Sequence, residues 1–293
     1  MQYHVGGELV DAADAALPVD DRAVAFGDAV TDTIRCYGGT PFAWERHVDR
    51  LFDACAALGF DPGVDAVDLR ARVEETLAVN ELEAALIRVS ITRGPGGGGQ
   101  TTLPDAARHR PPPDPDPTVV VTAAPVPDDQ GSIRLQTVRT RALSTESVPA
   151  APLTHARLDA VCAQAELRRA APPDGDPADE AVLLDTDGHV VGGTASDPVF
   201  VDGEAIRLPA LGDRPARTAT RAVVRQLADS EGLPVAAVPC TPADLRAAEE
   251  AFVAEPSAGI RPVASLDGVA VGGGPVTDLL SRLFADRVAA TCR

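Results

Sequence analysis

The sequence predicts a two-domain α/β protein, on three observations. The chain has 293 residues, of which 45% are hydrophobic, and this is enough chain and enough apolar surface for two domains. Strand and helix patterns alternate over its first third, and residues 181–191 have the pattern of a β-hairpin. We place the first α/β domain at residues 1–126 and the second at residues 127–293.

The elements of the first domain follow from the spacing of their apolar residues. Three segments have the composition of strands, namely residues 31–37, 85–92 and 119–121. Apolar residues at every third or fourth position predict one helix over residues 44–60 and a second over residues 69–77. Asn80 is the expected end of the second helix.

A long loop is predicted between residues 93 and 117. It contains four consecutive glycines at 96–99 and a proline-rich stretch at 111–117, and neither has an apolar period. The glycines lack the context of a phosphate-binding loop, so we interpret them as a linker. The acidic turn at 127–131 is the expected link between the two domains.

The second domain has its own alternation of strands and helices. We predict strands at residues 133–138, 181–185, 189–191 and 199–202. We predict helices at residues 218–228 and 276–288, and another that begins at Thr241 and Pro242. In the helix that begins near residue 158, the residues expected to face inward are Leu158, Val161, Cys162 and Ala165.

The charge of the chain is strongly unbalanced. It has 44 acidic and 26 basic residues, for a net charge of -18, and every basic residue is an arginine. Such a charge repels nucleic acid and anionic membranes, so we exclude both as partners. Because the acidic excess occurs without a single lysine, we expect a halophilic source with a high-salt cytoplasm.

Location and metal binding are constrained by simpler observations. No apolar run of about 18 residues is present, so we predict no transmembrane helix. The polar start of the chain predicts a cytoplasmic protein. The cysteines have no metal-ligand spacing, so we expect free thiols and no metal site. They are Cys36, Cys55, Cys162, Cys240 and Cys292.

Five segments resemble, in the same order, those of one enzyme family. They are Arg22–Arg35, Arg46–Leu51, Asp179–Val191, Arg217–Ala228 and Ile260–Gly268. The first reads RAVAFGDAVTDTIR, where the family has RGxxYGDGxFET. Together they are similar to the class IV pyridoxal-phosphate (PLP) aminotransferases, including branched-chain aminotransferases. The likeness is greatest to the aminodeoxychorismate lyases of halophilic archaea, which make p-aminobenzoate for folates. The resemblance implies the two-domain D-amino acid aminotransferase-like fold, PLP as cofactor and a homodimer.

The resemblance also identifies the positions where the family has its catalytic residues. The Schiff-base lysine of the family precedes a Thr-His pair, and here Leu153 precedes Thr154 and His155. The family glutamate that pairs with the pyridine nitrogen corresponds to Gly192. Only a primary amine forms the Schiff base, so we predict no catalytic residue and no covalent PLP.

The positions that bind the cofactor phosphate in the family are partly retained. An arginine on a helix and the backbone N–H groups at another helix start bind anions well. The residual anion site that we expect consists of Arg50, Thr218, Ala219 and Thr220. At the second phosphate-binding turn, Glu255 introduces a carboxylate and Pro256 removes a donor. We therefore expect non-covalent PLP binding to be disfavoured as well.

Four other polar residues near these positions receive structural interpretations. His155 could replace the lost lysine as an acid or base, but we favour a structural histidine. The same interpretation holds for His47 on the first helix. Asp28 and Asp32 are four residues apart in a strand-like segment, which puts them on one face without any sign of metal ligation.

Two functions are compatible with these residues. In the first, the chain is a catalytically degenerate relative of aminodeoxychorismate lyase or aminotransferase, acting as a homodimer or in a heterodimer with an active paralogue. In the second, it is an active enzyme that works without a Schiff base on an anionic substrate, held by Arg50, Arg157 or Arg221. The changes at Leu153, at Gly192 and at the turn of Glu255 and Pro256 favour the first function.

The unbalanced charge predicts that salt stabilises this protein. Raising KCl from about 0.1 M to about 1 M shortens the screening length from about 10 Å to about 3 Å and weakens the self-repulsion of the folded state. We expect the melting temperature, followed by circular dichroism, to rise steadily over this range. Sucrose at matched osmolality is the control for excluded-solute effects, and an equal rise in sucrose would contradict an electrostatic cause.

Overall fold

The computed structural model describes residues 1–95, 109–126, 131–173, 175–203 and 205–292. The chain divides into two compact units. Unit 1 consists of Met1–Val126, Leu153–Ala156 and Cys292–Arg293, and unit 2 of Pro127–Pro152 and Arg157–Thr291. Leu153–Ala156 therefore folds with unit 1, although the sequence assigns it to the second domain. The predicted glycine linker at 96–99 and residues 127–130 of the predicted link lie outside the described residues.

Unit 1 is built on an antiparallel sheet. Its strands are β1 (Gln2–Val5), β2 (Glu8–Asp11), β3 (Ala29–Tyr37), β4 (Thr40–Pro41), β5 (Ala85–Thr92) and β6 (Thr118–Pro125). They are ordered β2-β1-β6-β5-β3-β4. The three predicted strands are confirmed as β3, β5 and β6. Ile34 of β3 pairs with Ile87 of β5, and both are completely buried, so this pair lies in the core of the unit.

The helices described in unit 1 are α1 (Arg22–Phe26), α2 (Trp44–Ala57) and α3 (Ala66–Val79). The second of them packs on β3 through a face that includes Leu51 and Cys55, both completely buried. It ends three residues before the predicted end, because Gly59 adopts a left-handed φ of 76° and Phe60 N–H donates to the Cys55 carbonyl.

The third helix, α3, has defined ends. The carboxylate of Asp65 accepts hydrogen bonds from the N–H groups of Val67 and Asp68, which otherwise have no intrahelical acceptor. Asn80 is the C-terminal cap, as the sequence predicts. The buried face of α3 packs against β1 and β6 through residues that include Leu69 and Leu77.

Unit 2 is built on a mixed sheet. Its strands are β7 (Ile133–Arg141), β8 (Glu180–Leu184), β9 (Val190–Gly193), β10 (Asp197–Asp202), β11 (Ala205–Pro209), β12 (Val235–Val238), β13 (Glu250–Glu255), β14 (Gly259–Leu266) and β15 (Val269–Ala270). They are ordered β12-β11-β10-β13-β14-β7-β8-β9, and β15 pairs with β14. The pairs β11–β12, β14–β7 and β7–β8 are parallel. The predicted hairpin is confirmed as β8 and β9.

Both faces of this sheet are covered by packed side chains. Along β8, Val182 and Leu184 lie in one apolar cluster, which also includes Phe200 and Leu245. The alternate residues of the same strand, such as Leu183, lie in a second cluster on the other face. A strand with apolar residues at consecutive positions is therefore buried on both sides, which is the layered arrangement of an α/β fold.

The helices described in unit 2 are α4 (Leu158–Ala170), α5 (Thr220–Ser230), α6 (Pro242–Ala247) and α7 (Pro275–Thr291). The start of α6 agrees with the sequence, since Pro242 is its first residue and Thr241 N–H donates to the Asp244 carboxylate. None of the helices in the described ranges has the length and apolar character that crossing a bilayer requires.

The inward face that the sequence predicts for α4 is wrong. Leu158 and Val161 are 71% and 60% exposed, and Cys162 is exposed too. The buried residues of the helix are instead Asp159, Ala163 and Leu167. The helix is rotated relative to the prediction because the carboxylate of Asp159 is drawn inward by buried hydrogen-bond and ion-pair partners, which apolar periodicity cannot reveal.

A buried carboxylate defines where α7 begins. Glu250 Oε1 accepts from Val276 N–H at 3.1 Å, and Oε2 accepts from the N–H and hydroxyl of Thr277 at 2.8 and 2.7 Å. Glu250 thus satisfies helix-terminal donors from a neighbouring strand. Gly274 permits this approach, since a Cβ at that position would lie 2.6 Å from the Glu250 carboxyl carbon.

We expect Glu250→Ala to lower the free energy of unfolding by about 1–3 kcal/mol, because it leaves buried donors at the start of α7 unpaired. The measurement is urea unfolding in molar salt. Glu249→Ala is the matched control, since the adjacent side chain is exposed and its loss should cost less than about 0.5 kcal/mol. Equal losses for the two variants would contradict the capping role of Glu250.

Candidate functional site

The position expected to carry the Schiff-base lysine is firmly held in unit 1. Leu153 is 3% exposed and ends a short 3-10 helix, Ala151–Leu153. The next residue, Thr154, bridges Val30 of β3, and His155 N–H donates to the Ala29 carbonyl at 3.0 Å. These contacts fix the register of the segment on β3. Residue 153 is therefore a buried apolar position, and its side chain offers no nitrogen.

His155 takes part in a hydrogen-bonded chain of side chains. Its Nε2 lies 3.0 Å from the Ser90 hydroxyl, which donates to the hydroxyl of Thr31 at 3.2 Å. Burial, with the nearby Arg88 guanidinium, lowers the pKa of His155 below its ordinary value of 6.5. A neutral imidazole bonded to Ser90 is consistent with the structural role that we favour for this histidine.

Arg50 is held by an ion pair in unit 1. Asp32 of β3 accepts from Arg50 Nε at 3.0 Å, and the same carboxylate oxygen lies 2.9 Å from His47 Nδ1. Burial alone would raise the pKa of Asp32, but the charges and hydrogen bonds of Arg50 and His47 lower it from 3.8 to about 2. The carboxylate is therefore ionised at neutral pH. It compensates the positive charge of Arg50, which could otherwise attract an anion.

Asp28 belongs to a different cluster from Asp32. Its Oδ2 accepts from Arg22 Nε at 2.7 Å and from Arg93 Nε at 2.8 Å, and both arginines are buried. The two aspartates that the sequence places on one face are thus engaged by separate sets of cations. Neither cluster resembles a metal site, because arginine is the partner of each carboxylate.

In unit 2, the position expected to carry the family glutamate is crowded, and a side chain there would be strained. The backbone of Gly192 has a φ of 141°, a value that residues with a side chain rarely adopt. A Cβ there would lie 3.1 Å from Cγ of Arg217 and 3.5 Å from the Ser196 carbonyl oxygen. Arg217 is itself buried, and its Nη2 lies 3.4 Å from Oδ2 of Asp159.

The start of α5 already contains an anionic partner. Asp197 accepts from Arg217 N–H at 3.0 Å, from Thr218 N–H at 2.7 Å and from the Thr218 hydroxyl at 2.8 Å. Of the backbone donors that we expect to bind an anion, Thr218 is thus occupied by the chain itself. Ala219 and Thr220 are buried at 2% and 8% exposure and remain the helix-terminal donors without an intrahelical acceptor.

Glu255 makes the turn that corresponds to the family's second phosphate-binding turn acidic. It is 7% exposed at the end of β13, and Pro256 opens the turn that follows. Burial, followed by the nearby Glu180 carboxylate, raises the pKa of Glu255, while Arg261 at 3.8 Å opposes the shift. Glu180 is satisfied by Ser196, whose N–H and hydroxyl donate at 3.0 and 2.6 Å. Two buried carboxyl groups in this region oppose the binding of an anion.

The hairpin turn of unit 2 brings together Asp185, Asp187 and His189, whose ligand atoms lie within 4.8 Å of one another. Oδ1 of Asp185 accepts from the N–H groups of Asp187 and His189 at 2.9 and 2.8 Å. These bonds are those of a side-chain-stabilised turn. The turn therefore explains why these three side chains lie close together.

Sequence reasoning missed several residues that define these positions. They are Asp159, Glu180, Asp197 and Arg217. Each is a buried charged residue whose partner is distant in the chain, so no periodicity or spacing marks it. Only Asp197 is marked by a feature of the sequence, since it lies at the start of a strand that follows the hairpin.

Comparisons with known proteins place the chain among similar sequences and folds. A family model described as amino-transferase class IV matches residues 29–266. The chain is 33% identical over 291 residues to a putative branched-chain-amino-acid aminotransferase of Methanocaldococcus jannaschii, covering 98% of this chain and 96% of the relative.

Solved structures agree with this similarity. The branched-chain aminotransferase of Thermoproteus uzoniensis with norvaline has a TM-score of 0.85 at 25% identity, covering 99% of this chain and 96% of that one. The 4-amino-4-deoxychorismate lyase of Pseudomonas aeruginosa has a TM-score of 0.78 at 27% identity, covering 97% and 98%. The predicted α/β fold is thereby confirmed.

The ion pairs of Asp32 predict a stability contribution that depends on pH. Because its pKa is lowered in the folded state, the contribution is present in full above the unfolded pKa of about 3.9 and is lost as the pH falls toward about 2. We expect Asp32→Asn to destabilise by about 2 kcal/mol near neutral pH and by less at about pH 3, measured by urea unfolding.

Asp68→Asn is the control for this prediction. Asp68 pairs with Arg72 on the exposed side of α3, at 2.6 Å, so solvent screens its interaction. We expect a smaller effect than that of Asp32→Asn at every pH. A loss in Asp32→Asn that does not shrink with acid would show that the carboxylate charge is not what stabilises the fold there.

Proposed function

Because this chain belongs to the class IV aminotransferase family, we propose that it is a member whose cofactor chemistry has been lost while its fold is retained. The family is PLP-dependent, and PLP supplies an electron sink for reactions at the carbon that bears the substrate amine. The observation that carries the proposal is Leu153. A buried leucine stands where the resemblance puts the lysine, in a chain without any lysine.

The residues of unit 1 do not fit covalent PLP. A Schiff base requires a primary amine, and the α-amino group of the chain is the one such group that the sequence provides. Thr154 and His155 fix residue 153 on β3, so no neighbouring residue takes its place by a shift of register.

The residues of unit 2 do not fit PLP either. At the position of the family glutamate, Gly192 is adjacent to the side chain of Arg217, a permanent cation. A protonated pyridine nitrogen would meet like charge there, and the carboxylate that keeps the nitrogen protonated in the family is missing. At the turn after β13, the acidic Glu255 and the missing donor of Pro256 disfavour the phosphate.

The alternative function, an active enzyme that holds an anionic substrate, receives less support. It depends on Arg50, Arg157 or Arg221. Arg50 pairs with Asp32, Arg157 donates to the Thr194 carbonyl at 2.5 Å, and Arg221 donates to the Pro209 carbonyl at 2.6 Å. Each of these arginines has a structural role that accounts for its retention without a substrate.

In place of catalysis we propose a role for the folded chain as a partner. The extensive buried core argues that the fold is maintained, although the cofactor positions have changed. A homodimer, or a heterodimer with an active class IV paralogue that regulates or stabilises that enzyme, is compatible with an intact fold. We place this role in the cytoplasm.

The proposal predicts the outcome of a cofactor-trapping experiment. The protein is incubated with PLP in molar salt, reduced with borohydride and mapped by peptide mass spectrometry. We expect label on the chain α-amino group alone and no transamination or lyase turnover. Leu153→Lys should also lack turnover, because Gly192, Glu255 and Pro256 remain. Leu158→Lys, at an exposed position, measures nonspecific labelling of a single lysine.

Two results would contradict the proposal. The first is PLP-dependent turnover of a substrate of this family by the unaltered protein. The second is robust turnover by Leu153→Lys alone, which would mean that the other changes are of little consequence. Turnover that is lost in Arg50→Ala and independent of PLP would instead favour the alternative enzyme.

A further inference from the structure

In unit 2, Arg217 lies where a side chain at residue 192 would be. The backbone of Gly192 has φ 141°, and an added Cβ would approach Cγ of Arg217 to 3.1 Å and its Nε to 3.7 Å. A contact of 3.1 Å requires that one side yield by a few tenths of an ångström. Whether the arginine can yield depends on how it is held.

Arg217 is held at both ends. Its N–H donates to Oδ1 of Asp197 at 3.0 Å, and its Nη2 lies 3.4 Å from Oδ2 of Asp159. The side chains of Arg217 and Asp159 are 3% and 4% exposed. Moving the guanidinium would remove part of the positive charge that compensates the buried carboxylate of Asp159. Leaving a buried charge uncompensated costs free energy. The stem of Arg217 is therefore a rigid neighbour for residue 192.

Asp159 is anchored independently of Arg217. Its Oδ1 accepts from Ala160 N–H at 2.8 Å, and its Oδ2 accepts from Leu143 N–H at 3.2 Å. Arg157 Nε lies 3.8 Å from Oδ1. This anchoring is also why Asp159 lies on the buried face of α4 and why Leu158 is exposed.

We propose that Asp159, Gly192 and Arg217 form one coupled arrangement in which Arg217 occupies the space that a side chain at residue 192 would need. This inference rests on the proposed function and deepens it. The position does not simply lack a carboxylate, because the stem of an arginine anchored by Asp159 lies against it. A side chain restored at residue 192 would therefore meet the anchored Arg217, and that substitution alone would not recreate the arrangement of the family.

The coupling is tested by thermal unfolding of paired variants in molar salt. Gly192→Ala should lower the melting temperature by more than Gly188→Ala, the matched control. Gly188 lies in the same unit at φ 88° with nothing within 4 Å, so its substitution measures backbone strain without a contact. The additional loss at residue 192 includes the contact with Arg217, and the second set of variants isolates that contact.

The same substitutions are then made in an Asp159→Asn/Arg217→Ser background, which removes both charges together. We expect the loss for Gly192→Ala to shrink there toward that of Gly188→Ala, while the control is unchanged. An undiminished loss for Gly192→Ala would overturn the coupling. If the double background does not fold, Arg217→Ser alone supplies the comparison, since Asp159 keeps Arg157 as a neighbour.

This experiment is independent of the cofactor. Since no PLP is added, an undiminished loss would overturn the coupled arrangement and leave the proposed loss of Schiff-base chemistry standing. Conversely, PLP-dependent turnover by the unaltered protein would overturn the proposed function even if the stability coupling were observed. The two failures are therefore distinguishable.

Discussion

A Schiff base between a protein and PLP forms only through a primary amine, and this constraint governs what the chain can do. Leu153 is the residue at which the constraint acts. It is buried, and the contacts of Thr154 and His155 with β3 hold it in place. Under the proposed function, the family fold is retained, and the primary amine on which the Schiff base depends is missing at this position.

Buried carboxylates organise much of the remaining structure. They belong to Asp32, Asp159, Glu180, Asp197 and Glu250. Each is compensated by arginine, by backbone N–H groups or by hydroxyl groups, as the burial of charge requires. Arginine suits this role because it stays charged and donates in several directions. The basic residues of this chain are all arginines. Arginines and N–H groups that could bind an anionic ligand are instead partners of these buried carboxylates.

The sequence was sufficient for most of the elements but not for the details of the site. β3, β5, α3 and the β8–β9 hairpin were predictable because apolar periodicity and turn residues determine them locally. The rotation of α4 was not, because it depends on the partners that Asp159 meets at Arg217 and Leu143, far away in the chain. For the same reason, the sequence shows that Gly192 lacks the carboxylate of the family, but it does not show that Arg217 lies against this position.

The central claim, that this fold no longer holds its cofactor, is tested most directly by equilibrium dialysis of the purified, unaltered protein against PLP in molar salt. We expect PLP to distribute equally on both sides of the membrane, apart from a weak and reversible fraction on the α-amino group, and no PLP to be retained after exchange into cofactor-free buffer. Retention of PLP in a fixed ratio to the chain, displaceable by an amino-acid or keto-acid substrate, would contradict it.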